Sequence, residues 1–428
     1  MKRTLLAAIA FAGLAGGTAS AVNVINGPNW SLDLNGRFQL LGLGEIVRDP
    51  YQPDGRVYLF MKQARMEARA ESLGIRYHFQ AAFAGEDQVV TPNPGVSLNL
   101  LDLSADAPLN GPWRVIVGQF RVPYSRERLE DSGTLLFADR SIQNLGFRMG
   151  RDVGAALHTG GERWGLAAGM FAGGGRDVPE RYLPERLGFP LTVVRAGWND
   201  GVDKDIFTVA QEHFDPDRVR AAAHVNILYM RDTIIGHSTV DNVKLAERSL
   251  LLDTNWNPYM ARKPFSAGDL WQEGLDGVVE MPAPRGSLSF EGEANHGSYA
   301  NRYGRLDISG LRVQSAWDAG PYVAAFRYAV LFPSDNFFPS TGTVAGQRIT
   351  GGSPIHELTP SLTFRFNERR TKVIFDLPIL LNVPVTVERG IGAYVLSDLP
   401  DQSSVLASGG SVHRRTVVEG RMLIQFSF

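Results

Sequence analysis

Runs of strict apolar–polar alternation constrain this chain more than any other feature. In Ser31-Leu-Asp-Leu-Asn-Gly-Arg-Phe-Gln-Leu40, Leu32, Leu34, Gly36, Phe38 and Leu40 fall on one side, and Ser31, Asp33, Asn35, Arg37 and Gln39 on the other. Period two is the repeat of a β-strand, whose successive side chains point to opposite faces. A helix aligning Leu34, Phe38 and Leu41 would be weakened by Gly36, Gly42 and Gly44 and would leave the polar alternation unexplained. Alternation recurs where Ile75, Tyr77, Phe79, Ala81 and Phe83 oppose Arg76, His78 and Gln80, and where Leu311, Val313 and Trp317 oppose Arg312 and Gln314. It returns in Tyr322, Ala324, Phe326, Tyr328 and Val330, and again in Leu358, Pro360, Leu362, Phe364 and Phe366. Asp318-Ala319-Gly320-Pro321 and Asn367-Glu368-Arg369-Arg370 have the composition of hairpin turns.

Propensity and pattern disagree at 63–71, a run of good helix formers. Ala64, Met66, Ala68 and Ala70 alternate with Gln63, Arg65, Glu67, Arg69 and Glu71, and a helix would bury only a narrow alanine stripe. The segment is therefore read as a strand. Stretches 173–189, 239–281 and 337–353 alternate poorly, are rich in Gly, Pro, Asn and Asp, and read largely as loops.

Alternation alone leaves two architectures open. A soluble sandwich buries its apolar faces between two sheets, whereas a transmembrane barrel turns them to lipid and keeps its polar faces in a wet lumen. The ends of the sequence favour the barrel. Lys2 and Arg3, the apolar run Leu5 to Leu14 and Ala19-Ser20-Ala21 have the order of a secretory signal peptide cut after Ala21, leaving 22–428 as one domain. In the last strand Val418, Gly420, Met422, Ile424, Phe426 and Phe428 share one face. An aromatic residue closing such a strand resembles the terminal signal of bacterial outer-membrane barrels. Roughly 400 residues suit about 14 to 18 strands of ~9–11 residues with their loops. The chain has no cysteine, which excludes disulfides and thiolate metal sites, and its net charge of −2 offers no global attraction to nucleic acid.

One segment is distinctive: Val117-Gly-Gln-Phe-Arg-Val-Pro-Tyr124, the charged run to Ser132, then Asp139-Arg140-Ser141, then Gly150-Arg-Asp-Val-Gly154. Together with Gln63-Ala-Arg-Met-Glu67 and the terminal strand, it resembles the phosphate-selective porin O/P family of Gram-negative outer membranes. The resemblance implies an all-β, sixteen-stranded antiparallel barrel, usually trimeric, set in outer-membrane lipid and lipopolysaccharide. It implies a water-filled channel for passive diffusion of small anionic solutes, with no cofactor, and a loop after Pro123 that folds inward as a constriction. Arg126, Arg128 and Arg140 would then attract anions there, with Glu127, Glu130 and Asp131 as acidic partners. Arg37, Arg65, Arg69 and Arg76 fall on faces read as lumenal and would extend a basic track, some pairing with Asp33, Glu67 and Glu71. Phosphate selectivity implies a lysine- and arginine-lined path, yet beyond residue 21 there are only Lys62, Lys204, Lys244, Lys263 and Lys372, so a general anion or small-solute pore is the expectation.

An enzyme is the rival class. G-x-S-x-G, H-E-x-x-H and phosphate-loop motifs are absent, and His356-Glu357 reads as a loop or pore-mouth pair. His78 has no evident metal partner. A phospholipase-like barrel, which assembles Ser, His and Asp across strands, or a non-conducting adhesion barrel would carry the same alternation.

Overall fold

The alternating segments all become strands. The computed structural model describes residues 22–48, 54–85, 98–159, 163–176, 190–209, 211, 218–234, 251, 267–301, 304–334, 354–366, 371–387 and 411–428. Its strands are β1 (Val22–Gly27), β2 (Trp30–Arg48), β3 (Asp54–Ser72), β4 (Ile75–Gly85), β5 (Asn99–Pro108) and β6 (Trp113–Arg121). Next come β7 (Arg151–Thr159), β8 (Trp164–Phe171), β9 (Leu191–Asn199), β10 (Arg220–Ile234), β11 (Ala267–Ala283) and β12 (Gly286–Asn301). The last are β13 (Gly304–Asp318), β14 (Tyr322–Pro333), β15 (Ile355–Phe366), β16 (Thr371–Asp376), β17 (Ile379–Val387) and β18 (Ser411–Ser427).

Neighbours in sequence pair antiparallel, and β18 returns to β2 from Thr416↔Arg48 to Ser427↔Arg37, which closes the sheet. The eighteen segments make sixteen barrel strands. β16 and β17 lie between β15 and β18 as one barrel strand: both keep a single register on β15, the strand is interrupted at Leu377 and Pro378, where proline has no N–H to donate, and the pairing with β18 shifts between Leu380 and Val383. β1 pairs with β2 just beyond the point where β18 stops, so β18 and β1 share one column of the wall.

Exposure decides between sandwich and membrane barrel. Val313, Phe326, Leu362 and Phe426 are 44, 46, 41 and 45% exposed, while their strand neighbours Arg312, Arg327, Thr363 and Gln425 are buried. A soluble protein has the opposite arrangement; apolar side chains outside and polar ones inside are what lipid demands. Val313→Arg, which puts a charge on that outer face, should lower folding stability in lipid by about 2–4 kcal/mol if the site lies near the bilayer midplane. A denaturant titration in vesicles checks this, and an unshifted midpoint would place Val313 outside the membrane.

The strand over 63–71 is present as part of β3, and a bulge there departs from simple alternation. Gln39 pairs with Gln63 and Leu40 with Met61, so Lys62 is the extra residue and is buried beside Gln63. The loop expected over 239–281 needs correction: residues 267–281 belong to β11. Its pattern is blurred because Leu270 and Val278 are buried on the inward side while Glu273 is exposed on the outward one. Residues 1–21, the turn at 367–370 and most of 173–189, 239–266 and 337–353 lie outside the described residues.

Candidate functional site

The chain leaves the wall after β6 and returns at β7, and the residues between occupy the lumen. Val122 still donates its N–H to Gly150 O (3.1 Å); Pro123 follows and the paired ladder ends. Two short helices, α1 (Arg126–Leu129) and α2 (Ile142–Phe147), lie in this loop. Ser141 caps α2, its hydroxyl accepting from Asn144 N–H.

Buried charge fixes the first limb. Arg126 makes two 2.8 Å bonds to the Asp203 carboxylate and lies 3.2 Å from Glu291 and 3.7 Å from Glu130. Glu127 accepts from the N–H and hydroxyl of Ser141 and lies 3.4 Å from Arg312, whose guanidinium also reaches Glu291 and Glu293. Arg327 bonds Glu357 at 2.6 Å, and Glu357 accepts from Ile142 N–H at the start of α2. None of these groups could be buried singly, since an isolated charge in a dry interior costs several kcal/mol; opposite signs and filled hydrogen bonds make the arrangement tolerable.

The second limb is held through its backbone. Lys62 and Lys372 donate to the carbonyls of Ala138 and Leu135, Ser361 donates to Leu136 O, and Ala138 N–H donates to Asp376. Lys62 also lies 3.1 Å from Asp139, and together with Arg421 it outweighs burial and holds the Asp139 carboxyl below its usual range.

Between the limbs sits a group that keeps contact with water. The Asp131 side chain is 38% exposed and pairs with Arg37 and, at 3.5 Å, with Arg121. Arg37 and Arg65 both donate to Ser132 Oγ, at 2.9 and 3.2 Å. Arg151 adjoins this group and bonds Asp102 and Gln80 at 2.9 and 3.0 Å. Burial alone would raise the Asp131 carboxyl, but Arg37, Arg121 and Arg65 outweigh it and hold the group well below the ordinary carboxylate range. Four guanidiniums, those of Arg37, Arg65, Arg121 and Arg151, therefore gather around Asp131 and Asp102.

The expected site residues divide by place. Arg37, Arg65 and Asp131 come together in this group. Arg126, Glu127 and Glu130 lie on the inward loop but are fully buried, which revises the expectation that Arg126 projects into open lumen: its charge is taken up by carboxylates. Burial and neighbouring Glu291 push the Glu130 carboxyl well up despite Arg312 and Arg126. Arg140 is half-buried and clamps the loop through Glu127 O and Glu130 O (2.9 and 2.6 Å); Arg128 is also half-buried. Arg69 pairs with Glu67 at 2.8 Å, and Arg76 stands 4.0 and 3.9 Å from Glu71 and Asp106. Arg121 and Arg151 escape sequence reasoning because alternation puts them with outward Val117 and Val153; at their strand ends they turn toward the loop instead.

Enzyme-like pairs have other duties. Tyr328 hydroxyl and His356 Nδ1 are 2.9 Å apart, while Glu357 anchors α2. His296 Nδ1 and Ser309 Oγ are 2.9 Å apart, but Glu273, opposite His296 in the register, accepts from Trp271 Nε1 at 3.3 Å. Among the described residues, no three His, Asp or Glu side chains are grouped to hold a metal.

Residues 51–194 match the family model of phosphate-selective porin O and P. No curated protein matches the chain in sequence. The fold is similar to an anion-selective porin from Comamonas acidovorans at 12% identity, covering 93% of this chain and 100% of that one, with a TM-score of 0.54. OmpT, an outer membrane protein of Vibrio cholerae, aligns at 10% identity over 95% and 100% of the chains with a TM-score of 0.53. The outer membrane channel DcaP of Acinetobacter baumannii aligns at 12% identity over 97% and 100%, with a TM-score of 0.51. At such identities the likeness establishes the barrel architecture, and the sequence match is confined to residues 51–194, which carry β3 to β8 and the inward loop and are similar to phosphate-selective porin O and P.

Proposed function

We propose that the barrel is a passive channel for small anions, with preference set where Arg37, Arg65, Arg121 and Arg151 meet. The observation that carries this reading is the gathering of four guanidiniums at a point where Asp131 and Arg37 still reach water, in a chain that is acidic overall. Guanidiniums bind carboxylate or phosphate oxygens in a fork, and charges lining a pore sort permeating ions. Arg69 and Arg76 would draw anions more weakly, each being beside a carboxylate. Arg128 and Arg140 belong to the loop that narrows the passage, and Arg126 to its anchorage.

The same reading has residues 1–21 removed as a signal peptide, three copies associating among outer-membrane lipid and lipopolysaccharide, and transport without catalysis, cofactor or energy source. Purified full-length protein in a planar bilayer should conduct, and its reversal potential under a potassium chloride gradient should lie on the anion side. Added phosphate should lower chloride current if the two share the arginine group. A cation-side potential, or no conductance, would sink the proposal; cross-linking that traps only monomer would remove the trimer alone.

A further inference from the structure

A second segment occupies the lumen, and it enters from the other end. Turns 28–29, 73–74, 109–112, 284–285 and 319–321 mark one rim of the barrel, the rim opposite the loop that leaves β6. The connection between β9 and β10 belongs to that same short-turn rim, yet its residues 202–209 and 211 run into the barrel. Asn199 starts the inward turn: its Oδ1 accepts from the N–H groups of Gly201, Val202 and Asp203 at 3.1, 3.0 and 3.1 Å. Asp205 then accepts from Phe207 and Thr208 N–H.

The wall is shaped for this segment. A Cβ on Gly165 of β8 would lie 3.0 Å from Ile206 Cδ1, and Phe207 stands edge-on to Phe120 and His158 at 6.2 and 5.0 Å between ring centroids. Lumenal strand faces are polar in a water-filled barrel, so small and apolar residues here fit a wall that is permanently covered. At its tip the segment meets the inward loop twice. Asp203 holds Arg126 through two 2.8 Å bonds, both side chains fully buried, and Gln211 accepts from Leu136 N–H at 3.0 Å while donating to Glu130 at 2.5 Å.

We infer that Asp203 is a positioning residue of the channel: from the short-turn rim it fixes, through Arg126, where the constriction loop stands. The inference rests on the porin reading. Among the described residues, the loop's other hydrogen-bond and ion-pair partners outside itself belong to wall strands, whereas Asp203 and Gln211 join it to a second connection, so the width of the passage depends on two segments that brace each other from opposite ends. Removing the Asp203 charge leaves Arg126 with Glu291 and Glu130 and allows the loop alternative seats.

Single-channel recording of the full chain tests this with Asp203→Asn, the conservative Asp203→Glu and, as a control, Asp200→Asn, whose partner Arg218 lies on the exposed part of the same connection. D203N should raise open-channel current variance at least about threefold, with sublevels absent from wild type; D203E should recover most of the quiet state, and D200N should match wild type. Because D203N may be compared only if it inserts, Gln211→Ala supplies an independent break at the same junction and should add the same noise. Wild-type variance in D203N, or in Q211A if D203N does not assemble, overturns the inference while leaving the channel intact. A wild type that does not conduct would instead end the porin reading.

Discussion

Replacing Arg37 and Arg65 together with glutamate is expected to shift the permeability of the proposed channel from anions to cations. The change removes two positive charges and adds two negative ones beside Asp131, at the group that touches water. At about 7 Å through water a unit charge acts on a passing ion with about 0.6 kcal/mol, and physiological salt roughly halves this. Four units, acting with opposite sign on cation and anion, move the permeability ratio by more than tenfold. Reversal potentials in a salt gradient measure the ratio. An unchanged potential in a variant that still inserts would place the ion path away from these arginines. The corresponding change at Arg126 tests something else, since that guanidinium is already neutralised by Asp203 and Glu291 and its loss unseats the loop.

The second large effect is expected from Arg312→Met. Arg312 reaches Glu127 of the loop and Glu291 and Glu293 of β12, all buried. Without it these carboxylates face one another across a dry contact, and breaking a buried pair from one side costs about 3–5 kcal/mol. The strands do not depend on the pair, so the barrel should persist while the loop opens more often by a factor of roughly 10²–10⁴. Since the chain has no cysteine, Ala138→Cys gives a single reporter on the buried second limb, which is held by backbone bonds that the substitution keeps. Labelling by a small thiol reagent should accelerate by that factor in the Arg312→Met background. Equal labelling rates would mean that the wall holds the loop without the central ion network.

Much of the barrel is legible in the sequence because a two-sided environment imposes a two-residue period, and 63–71 shows pattern prevailing over helix propensity. What the period cannot say is which face is wet; that follows only from seeing Arg312 buried and Val313 exposed. It also fails wherever the inside is dry. Leu270 and Val278 of β11 are apolar on the inward face, so their strand reads as a loop. Bulges defeat it differently: a single extra residue brings Lys62 to the same side as Gln63. The loop's position is visible from Pro123 and the family-like motif, but its partners are not. Arg126 finds Asp203 seventy-seven residues away, and no local spacing encodes that contact.

The seam between β2 and β18 bears on how the molecule assembles. Among the described residues, every other wall contact joins barrel strands that are consecutive along the chain, β16 and β17 counting as one, whereas Gln39 meets Gln425 across 386 residues. Forming that contact first would require closing nearly the whole chain into one loop, an entropic cost that grows with loop length and retards nucleation from distant partners. Hairpins can zip in sequence order from either side, leaving β18 and the part of β2 that β1 does not cover as the two unpaired edges of an open, curling sheet. Until they meet, both present unsatisfied N–H and C=O groups that lipid cannot solvate. Closure is therefore the slow, committing event of biogenesis, and the interval before it is when this chain most needs an escort for its edges.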